Sequence, residues 1–467
     1  MGQKLALACA CALVLSACAV PRPAATVDPD APPKWYAPLP HNGTLTDLNR
    51  WWQQFNDPLL VELIEAAQTA SPTVATARSR IVQARAARAA AQATLLPSVD
   101  GNATAVRAKQ PPTPIATTVT TGAQAAWEID LFGGNRAATD AARERLQGAE
   151  AGWHDARVSV AAETANSYLA LRTCERQLLV ATRDAQSRAE TARLTQLSAN
   201  AGFTPPATAA LARASAAEGA ARATQQRAQC DIEVKALVAL SALPEPRLRE
   251  RLGASWKEPA EFALLTVASI PAELLAQRPD VYQAEREVAA ASADVGSARA
   301  QQLPRLSLTG SIALGKAHAG GDTFDVETWS IGPLALTLPI FDAGRRAANV
   351  DSAQARYEEA AALYKARVRQ AVREVEEALV NLESARARAE DARIAVEGYS
   401  ASFVATEARY RSGLGSLIEL EDQRRAMLAA ETALVALQRE RVASWIALYR
   451  AVGGGWTRAQ QEEARTP

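Results

Sequence analysis

Histidine is nearly missing from this sequence: His41, His154 and His318 are its only three, far apart and with no ligand spacing around them. A metal centre needs clustered imidazole, thiolate or carboxylate donors, so neither a metal nor a cofactor is expected. Phosphate loops and nucleophile motifs are missing too. The "GLG" at 413–415 follows no strand, which leaves it too weak for a phosphate cradle. No acid, base and nucleophile fall into a recognisable constellation, so the chain is not read as an enzyme. Excess charge of either sign is also absent, with 51 basic residues against 51 acidic, and nothing suggests a nucleic-acid partner. Aromatic residues make up only 5% of the chain. Its length alone would permit two or three domains.

The N-terminus fixes the compartment. "MGQKLALACACALVLSAC" carries one positive residue, Lys4, then an apolar run from Leu5 to Leu15, then small residues. That run is about half of what a membrane-spanning helix needs, which makes residues 1–17 a secretory signal peptide. Leu15-Ser16-Ala17-Cys18 resembles the bacterial lipobox, after which Cys18 becomes the lipidated first residue of the mature chain. The plainer alternative is an ordinary signal peptide with an incidental cysteine. Several acyl chains on Cys18 would hold the N-terminus on a bilayer. The resemblance to the lipobox implies that an Asp at the next position would favour the inner membrane, and with Ala19 there outer membrane lipid is the expected destination. Losing the signal peptide also removes Cys9 and Cys11, leaving Cys174 and Cys230 as the only thiols besides Cys18. In an oxidising compartment such a pair is a candidate disulfide.

The chain is written twice. "ASPTVATARSRIVQARAARAAAQATLLPSVDG" (70–101) aligns with "QRPDVYQAEREVAAASADVGSARAQQLPRLSLTG" (277–310), with Pro72 and Pro97 matching Pro279 and Pro304 at an offset of 207. Phe132 then matches Phe341 at 209, and Gly202 matches Gly413 at 211. A slow drift in a conserved order is what duplication with small insertions leaves behind. The repeats span 59–243 and 271–452, flanked by an N-terminal segment 18–58, a linker 244–270 and a C-terminal tail 453–467.

Both copies share one grammar. Each opens with an Ala- and Arg-rich helix (59–94; 271–301) that ends near Leu-Pro, because proline cannot continue a helix. β-type segments follow. In "RLSLTGSIAL" (305–314), Leu306, Leu308, Ile312 and Leu314 alternate with polar or small residues. In "VTTGAQAAWEIDLF" (119–132), Val119, Trp127, Ile129 and Leu131 share one face. Period-two alternation predicts strands with one apolar and one wet side. "KQPPTPIATT" (109–118) and "AHAGGDTFDVE" (317–327) read as loops between strands. A glycine turn then launches a second helix without proline, Arg136 to about Ala199 and Arg345 to Ser412. At 1.5 Å per residue each is on the order of 100 Å long. A third helix runs back from a glycine turn (206–243; 416–452), and abundant alanine favours close antiparallel pairing. Two strands per copy cannot make a membrane barrel alone, since their edges would leave backbone groups unpaired and closed barrels start at about eight strands. The barrel must be shared between chains.

The sequence resembles the outer membrane factors of tripartite efflux pumps, the TolC family, in its lipidated NodT-like branch. The resemblance rests on "WWQQFNDPLLVELIEAA" (51–67), "WEIDLFGGNR" (127–136), "ELLAQRPDV" (273–281), "LPIFDAGRR" (338–346), "YRSGL" (410–414) and "GGGW" (453–456), and covers nearly the whole mature chain. It implies a mainly α fold with a small β part. In that fold a homotrimer completes a twelve-stranded transmembrane β-barrel on a periplasmic α-helical barrel of coiled-coil hairpins. It also implies a collar built from the N-terminal segment, the 244–270 linker and the C-terminus. The implied function is passive export of drugs or toxic small molecules, energised by an inner-membrane transporter of the RND type through a periplasmic adaptor. Two alternatives stay open: a type I protein-secretion duct of the same fold, and a periplasmic coiled-coil lipoprotein with no pore.

The resemblance also assigns roles. Gly202 and Gly413 become the periplasmic tips of two helical hairpins, with Phe203 and Leu414 as apolar knobs for the adaptor; turn chemistry alone is the competing account. Glu419 and Asp422 match positions where family members place acids lining the narrowest constriction. By helical angle they lie nearly opposite the stripe of Leu417, Leu420, Leu428 and Leu434 and so face water. Pattern alone suggests a solvated face shared with Arg424 and Arg425, whereas the family match points to the lumen. Gly415 stands where some members carry a charge, so salt bridges that close the tip are not carried over. Finally, Cys174 and Cys230 each lie 28 residues from Gly202. If that glycine is a hairpin tip, the two stand at one height and can bond; unpaired buried thiols are the alternative.

Overall fold

The computed structural model describes residues 20–109, 115–254 and 275–456, apart from 33, 38–47 and 276. The signal peptide, Cys18, most of the 244–270 linker and the end of the tail lie outside the described residues. The chain divides into two compact units. One comprises the N-terminal segment through Asp30 with 77–153 and 280–367; the other comprises 31–76, 154–279 and 368–467.

The first unit holds the sheet. Its strands are β1 (Ser98–Ala108), β2 (Ala116–Ile129), β3 (Arg305–Ala319) and β4 (Asp322–Thr337), antiparallel and in chain order. Among the described residues no strand pairs with either edge, β1 or β4. Register places Trp127 opposite Leu308, Ile129 opposite Leu306, and Ile312 opposite Trp329. One face therefore gathers the apolar side chains, and they are exposed: Trp329 by 74% and Ile331 by 84%. The other face carries serine, threonine and asparagine, with hydroxyl pairs Thr104–Thr120 and Ser311–Ser330 at 2.9 Å across strands. The expected loop 317–327 shrinks to Gly320-Gly321. Both have positive φ (61° and 99°), as a two-residue hairpin turn requires, so β3 and β4 extend through the rest. β2 likewise starts before 119, and it stops at Ile129 because Asp130 is needed elsewhere.

Helices join the strands. The expected helix 59–94 is two, α1 (Pro58–Ala70) and α2 (Pro72–Ala93), parted at Ser71 in extended backbone before Pro72. After β2, the Asp130 carboxylate accepts the N–H groups of Asn135 (3.2 Å) and Arg136 (2.9 Å), satisfying first-turn donors of α3 (Gly134–Asn200). Hairpin helix α4 (Pro206–Ser241) and short α5 (Glu245–Ala254) follow. In the second repeat α6 (Pro279–Ala300) begins later than the expected 271, and Arg278 lies outside it. Asp342 caps α7 (Arg345–Arg411) through the Arg346 N–H at 3.2 Å, and α8 (Leu417–Ala451) completes the set. Alanines contribute to the first unit's helix contacts, with Ala141, Ala290 and Ala293 in one buried cluster. Among the described residues, no helix is long and apolar enough to cross a membrane.

The N-terminal segment forms a strap on this unit. Prolines offer no N–H, so the carbonyls are what need partners. Arg299 donates to the Pro21 carbonyl (2.7 Å), Ser292 to Pro23 (2.6 Å) and Tyr357 to Ala24 (3.0 Å), while Lys365 pairs with Asp30 (2.9 Å). From Pro21 to Asp30 the strap thus runs along α6 and α7 away from the ends that join the sheet.

The second unit holds the large core. Trp51 stacks on Tyr449 with ring centroids 4.8 Å apart, and Leu60, Leu63, Leu237, Leu248 and Ile446 are fully buried around them. Burial pushes the Tyr449 hydroxyl up to about 12. Asp57 caps α1 through the Leu59 N–H (3.1 Å) and accepts a short bond from the Tyr168 hydroxyl. Two sequence motifs meet here. Arg278 of "QRPD" donates to the Ala451 carbonyl at the end of α8 (2.8 Å) and to Glu374 (2.9 Å). The glycines of "GGGW" then turn the chain with φ of 88°, 61° and 88°, the first lying against the Gln277 carbonyl.

Candidate functional site

Both hairpins fold back at the expected glycines. Gly202 (φ 81°) and Gly413 (φ 75°) follow α3 and α7 in the left-handed region that a side chain resists. Phe203 N–H reaches the Ser198 carbonyl (3.0 Å) and Gly202 N–H reaches Ala199 (3.0 Å). Leu414 N–H to Arg409 (2.9 Å) and Gly413 N–H to Tyr410 (3.0 Å) repeat the pattern. These are paired Schellman caps, so the duplication extends to the hydrogen bond. In such caps the following apolar residue usually packs back on its own helix. Here it does not: Phe203 is 86% exposed and Leu414 74%.

Antiparallel pairing follows from the contacts around each turn. Ser198 meets Thr204, Arg188 meets Ser215, and Cys174 meets Cys230 in the first hairpin. Ser402 meets Gln423 and Arg388 meets Glu440 in the second. Cys174 and Cys230 stand in disulfide geometry, with Cα atoms 5.5 Å apart in the main core. Thiol labelling of denatured, unreduced protein should accordingly find neither residue. Reducing the bond should cost up to about 4 kcal/mol in the loop-entropy account for a 56-residue separation. Labelling of both thiols would end the idea.

Glu419 and Asp422 are both exposed, in the first turns of α8. Glu419 completes a capping box: its N–H donates to Ser416 Oγ (3.1 Å) and its carboxylate accepts the Ser416 N–H (3.2 Å). Asp422 pairs with Arg425 at 2.7 Å, an exposed ion pair worth about 0–1 kcal/mol. The carboxylates thus sit on the water-facing side expected for them.

Arg424 does not, and the solvated face it was expected to share is corrected. It is fully buried. Its guanidinium donates to Glu421 (2.5 Å), Ser187 (3.1 Å) and Thr191 (3.2 Å) and lies over the Phe403 ring. Arg188 from α3 closes the cluster, donating to Asp184 (2.9 Å) and to Glu421 (2.5 Å). Burial pulls the Arg424 guanidinium below the ordinary arginine value, while Glu421 and Asp184 oppose that shift. The sequence held a signal for it. Arg424 lies four residues from both Leu420 and Leu428, in the middle of the leucine stripe, where a solvated charge cannot stand. Among the described residues no cluster of His, Cys, Asp and Glu could hold a metal ion.

This architecture has known counterparts. The profile of the family described as "Outer membrane efflux protein" matches residues 63–243 and 270–454, one stretch per repeat. The pyoverdine export outer membrane protein OpmQ of Pseudomonas aeruginosa is 29% identical over 99% of both chains. Outer membrane protein OprJ of the same organism is 31% identical over 95% of this chain and 94% of its own. The solved CmeC outer membrane channel of Campylobacter jejuni superposes with a TM-score of 0.79 at 26% identity, over 91% of this chain and 92% of that one. Duplicated hairpins, a four-stranded sheet and these matches agree: the chain belongs to the outer membrane efflux protein family.

Proposed function

We propose that the protein is the passive outer membrane duct of a tripartite efflux system, exporting small toxic organic molecules such as drugs. The observation that carries this reading is the sheet. It has an exposed apolar face, a polar face and two unpaired edges, so it lacks the backbone partners a bilayer demands. Three chains supply twelve strands, and β4 of one copy meets β1 of the next antiparallel. Apolar residues then face lipid and hydroxyls line the lumen. The exposed Phe203 and Leu414 dock a periplasmic adaptor, which links the duct to an inner-membrane transporter of the RND type that supplies the energy. Glu419 and Asp422 ring the constriction, and acyl chains on Cys18 hold each chain to the outer membrane.

Native mass spectrometry in detergent should give a three-chain assembly whose subunits begin at Cys18 with a diacylglyceryl-type addition. The same preparation should produce stepwise conductance in planar bilayers. A stable monomer or dimer overturns the shared barrel, and an assembled trimer without conductance overturns the duct.

A further inference from the structure

The buried charges of α3 and α8 have no part in a passive duct as described, and they are costly. A buried ion pair is commonly no more stabilising than well-packed apolar residues in its place, and its best-attested use is to fix registry. Its surroundings suggest what is fixed. Leu417 and Leu420 pack α8 against Ala192, Ala212 and Phe403, but apolar contact is non-directional, and a helix on such a stripe can roll. Charge-assisted hydrogen bonds are directional. Glu421 is held between Arg188 and Arg424, both oxygens engaged at 2.5 Å, and Arg424 also reaches two hydroxyls of α3. At 100° per residue, the midpoint of Glu421 and Arg424 lies about 160° around the helix from that of Glu419 and Asp422.

We propose that Asp184, Arg188, Glu421 and Arg424 form a rotational lock that aims Glu419 and Asp422. Pinning one side of α8 to α3 fixes the direction of the opposite side, so the lock residues are positioning residues for the constriction. This rests on the reading of Glu419 and Asp422 as pore-lining acids. Stability alone does not require the lock; orientation does.

The test replaces the lock with apolar residues of similar size, Asp184→Leu/Arg188→Met/Glu421→Leu/Arg424→Met. Thermal unfolding should hold or rise, because no charge is left buried without a partner. Two readouts then follow. Hexaamminecobalt(III) added from the periplasmic side should need about tenfold more to block current, within the coupling found for residues that share a network. An added Asp422→Cys should react with a charged thiol reagent at a rate several-fold different in the lock-free and lock-intact proteins. Unchanged block together with unchanged labelling overturns the lock, as does a fall in stability with neither readout moved. If labelling changes while Glu419→Ala/Asp422→Ala leaves block intact, the lock stands and the constriction reading falls. Should the quadruple variant not assemble, Arg188→Met/Glu421→Leu carries the same two readouts, since it leaves Arg424 beside Asp184 (3.9 Å).

Discussion

Glu419→Ala/Asp422→Ala should abolish block by hexaamminecobalt(III), raising the half-blocking concentration at least about 100-fold, or about 2.8 kcal/mol at 1.4 kcal/mol per decade. The size follows from multiplicity. In the proposed trimer three copies would bring six carboxylates around one axis, a ring of negative charge of the kind that selects cations in channels. Asp422 is paired with Arg425, but exposed arginines held by less than about 1 kcal/mol can swing away when a trivalent ion arrives. The two acids are separable. Glu419 also belongs to the capping box of α8, so Glu419→Ala should cost about 1 kcal/mol of stability as well as block, whereas Asp422→Ala should cost block alone. Single-channel recording with the ion on each side in turn measures it. Block and cation preference that survive the double substitution unchanged would mean the pair does not line the pore.

Gly453→Ala should be among the most damaging substitutions available in the second unit. A Cβ there would stand 2.3 Å from the Gln277 carbonyl oxygen, a backbone atom that cannot swing aside, and the residue already has φ of 88°. Left-handed backbone costs a non-glycine residue about 1–2 kcal/mol, and overpacking typically adds 1–3. A loss of roughly 2–5 kcal/mol is expected from these two terms together. Gly398 is the internal control. It lies within α7 with nothing inside 4 Å of an added Cβ, so Gly398→Ala should stabilise by about 0.5–1 kcal/mol. Thermal melts of the two variants should move in opposite directions. A neutral Gly453→Ala would mean that the contact between "QRPD" and "GGGW" is not part of the folded second unit.

The sequence announced the fold because its strongest signals are local. Proline ended α2 before β1, alternation marked β3, and glycine marked both hairpin tips at the residues where the chain reverses. What it concealed depends on partners distant in sequence. The loop around Gly320 is the exception, a local signal: Gly320-Gly321 is the two-residue turn of a hairpin in which β3 and β4 pair on each other. The Ser71 break in the first helix was legible in principle, since the residue before Pro72 resists helical backbone. At the site, the exposed acids and apolar tips could be named from motifs, but the burial of Arg424 could not. A charge reads as solvated until its partners are known, and Asp184 and Arg188 lie more than 230 residues away. Position within the leucine stripe was the one warning.

The strap sets a length that an anchor would have to obey. Cys18 stands three residues before Pro21, whose carbonyl is held by Arg299 near the end of α6, six residues from the first residue of β3. Extended chain spans at most about 3.3–3.6 Å per residue, so an acylated Cys18 could stray no more than about 10 Å from that point. A leash so short cannot act as a loose mooring. If Cys18 is acylated as proposed, it would act as a depth gauge, bringing the lipid chains and the apolar face of the sheet to the bilayer at one level. Lengthening the stretch before Pro21 would leave the protein attached but free to float out of register with the membrane.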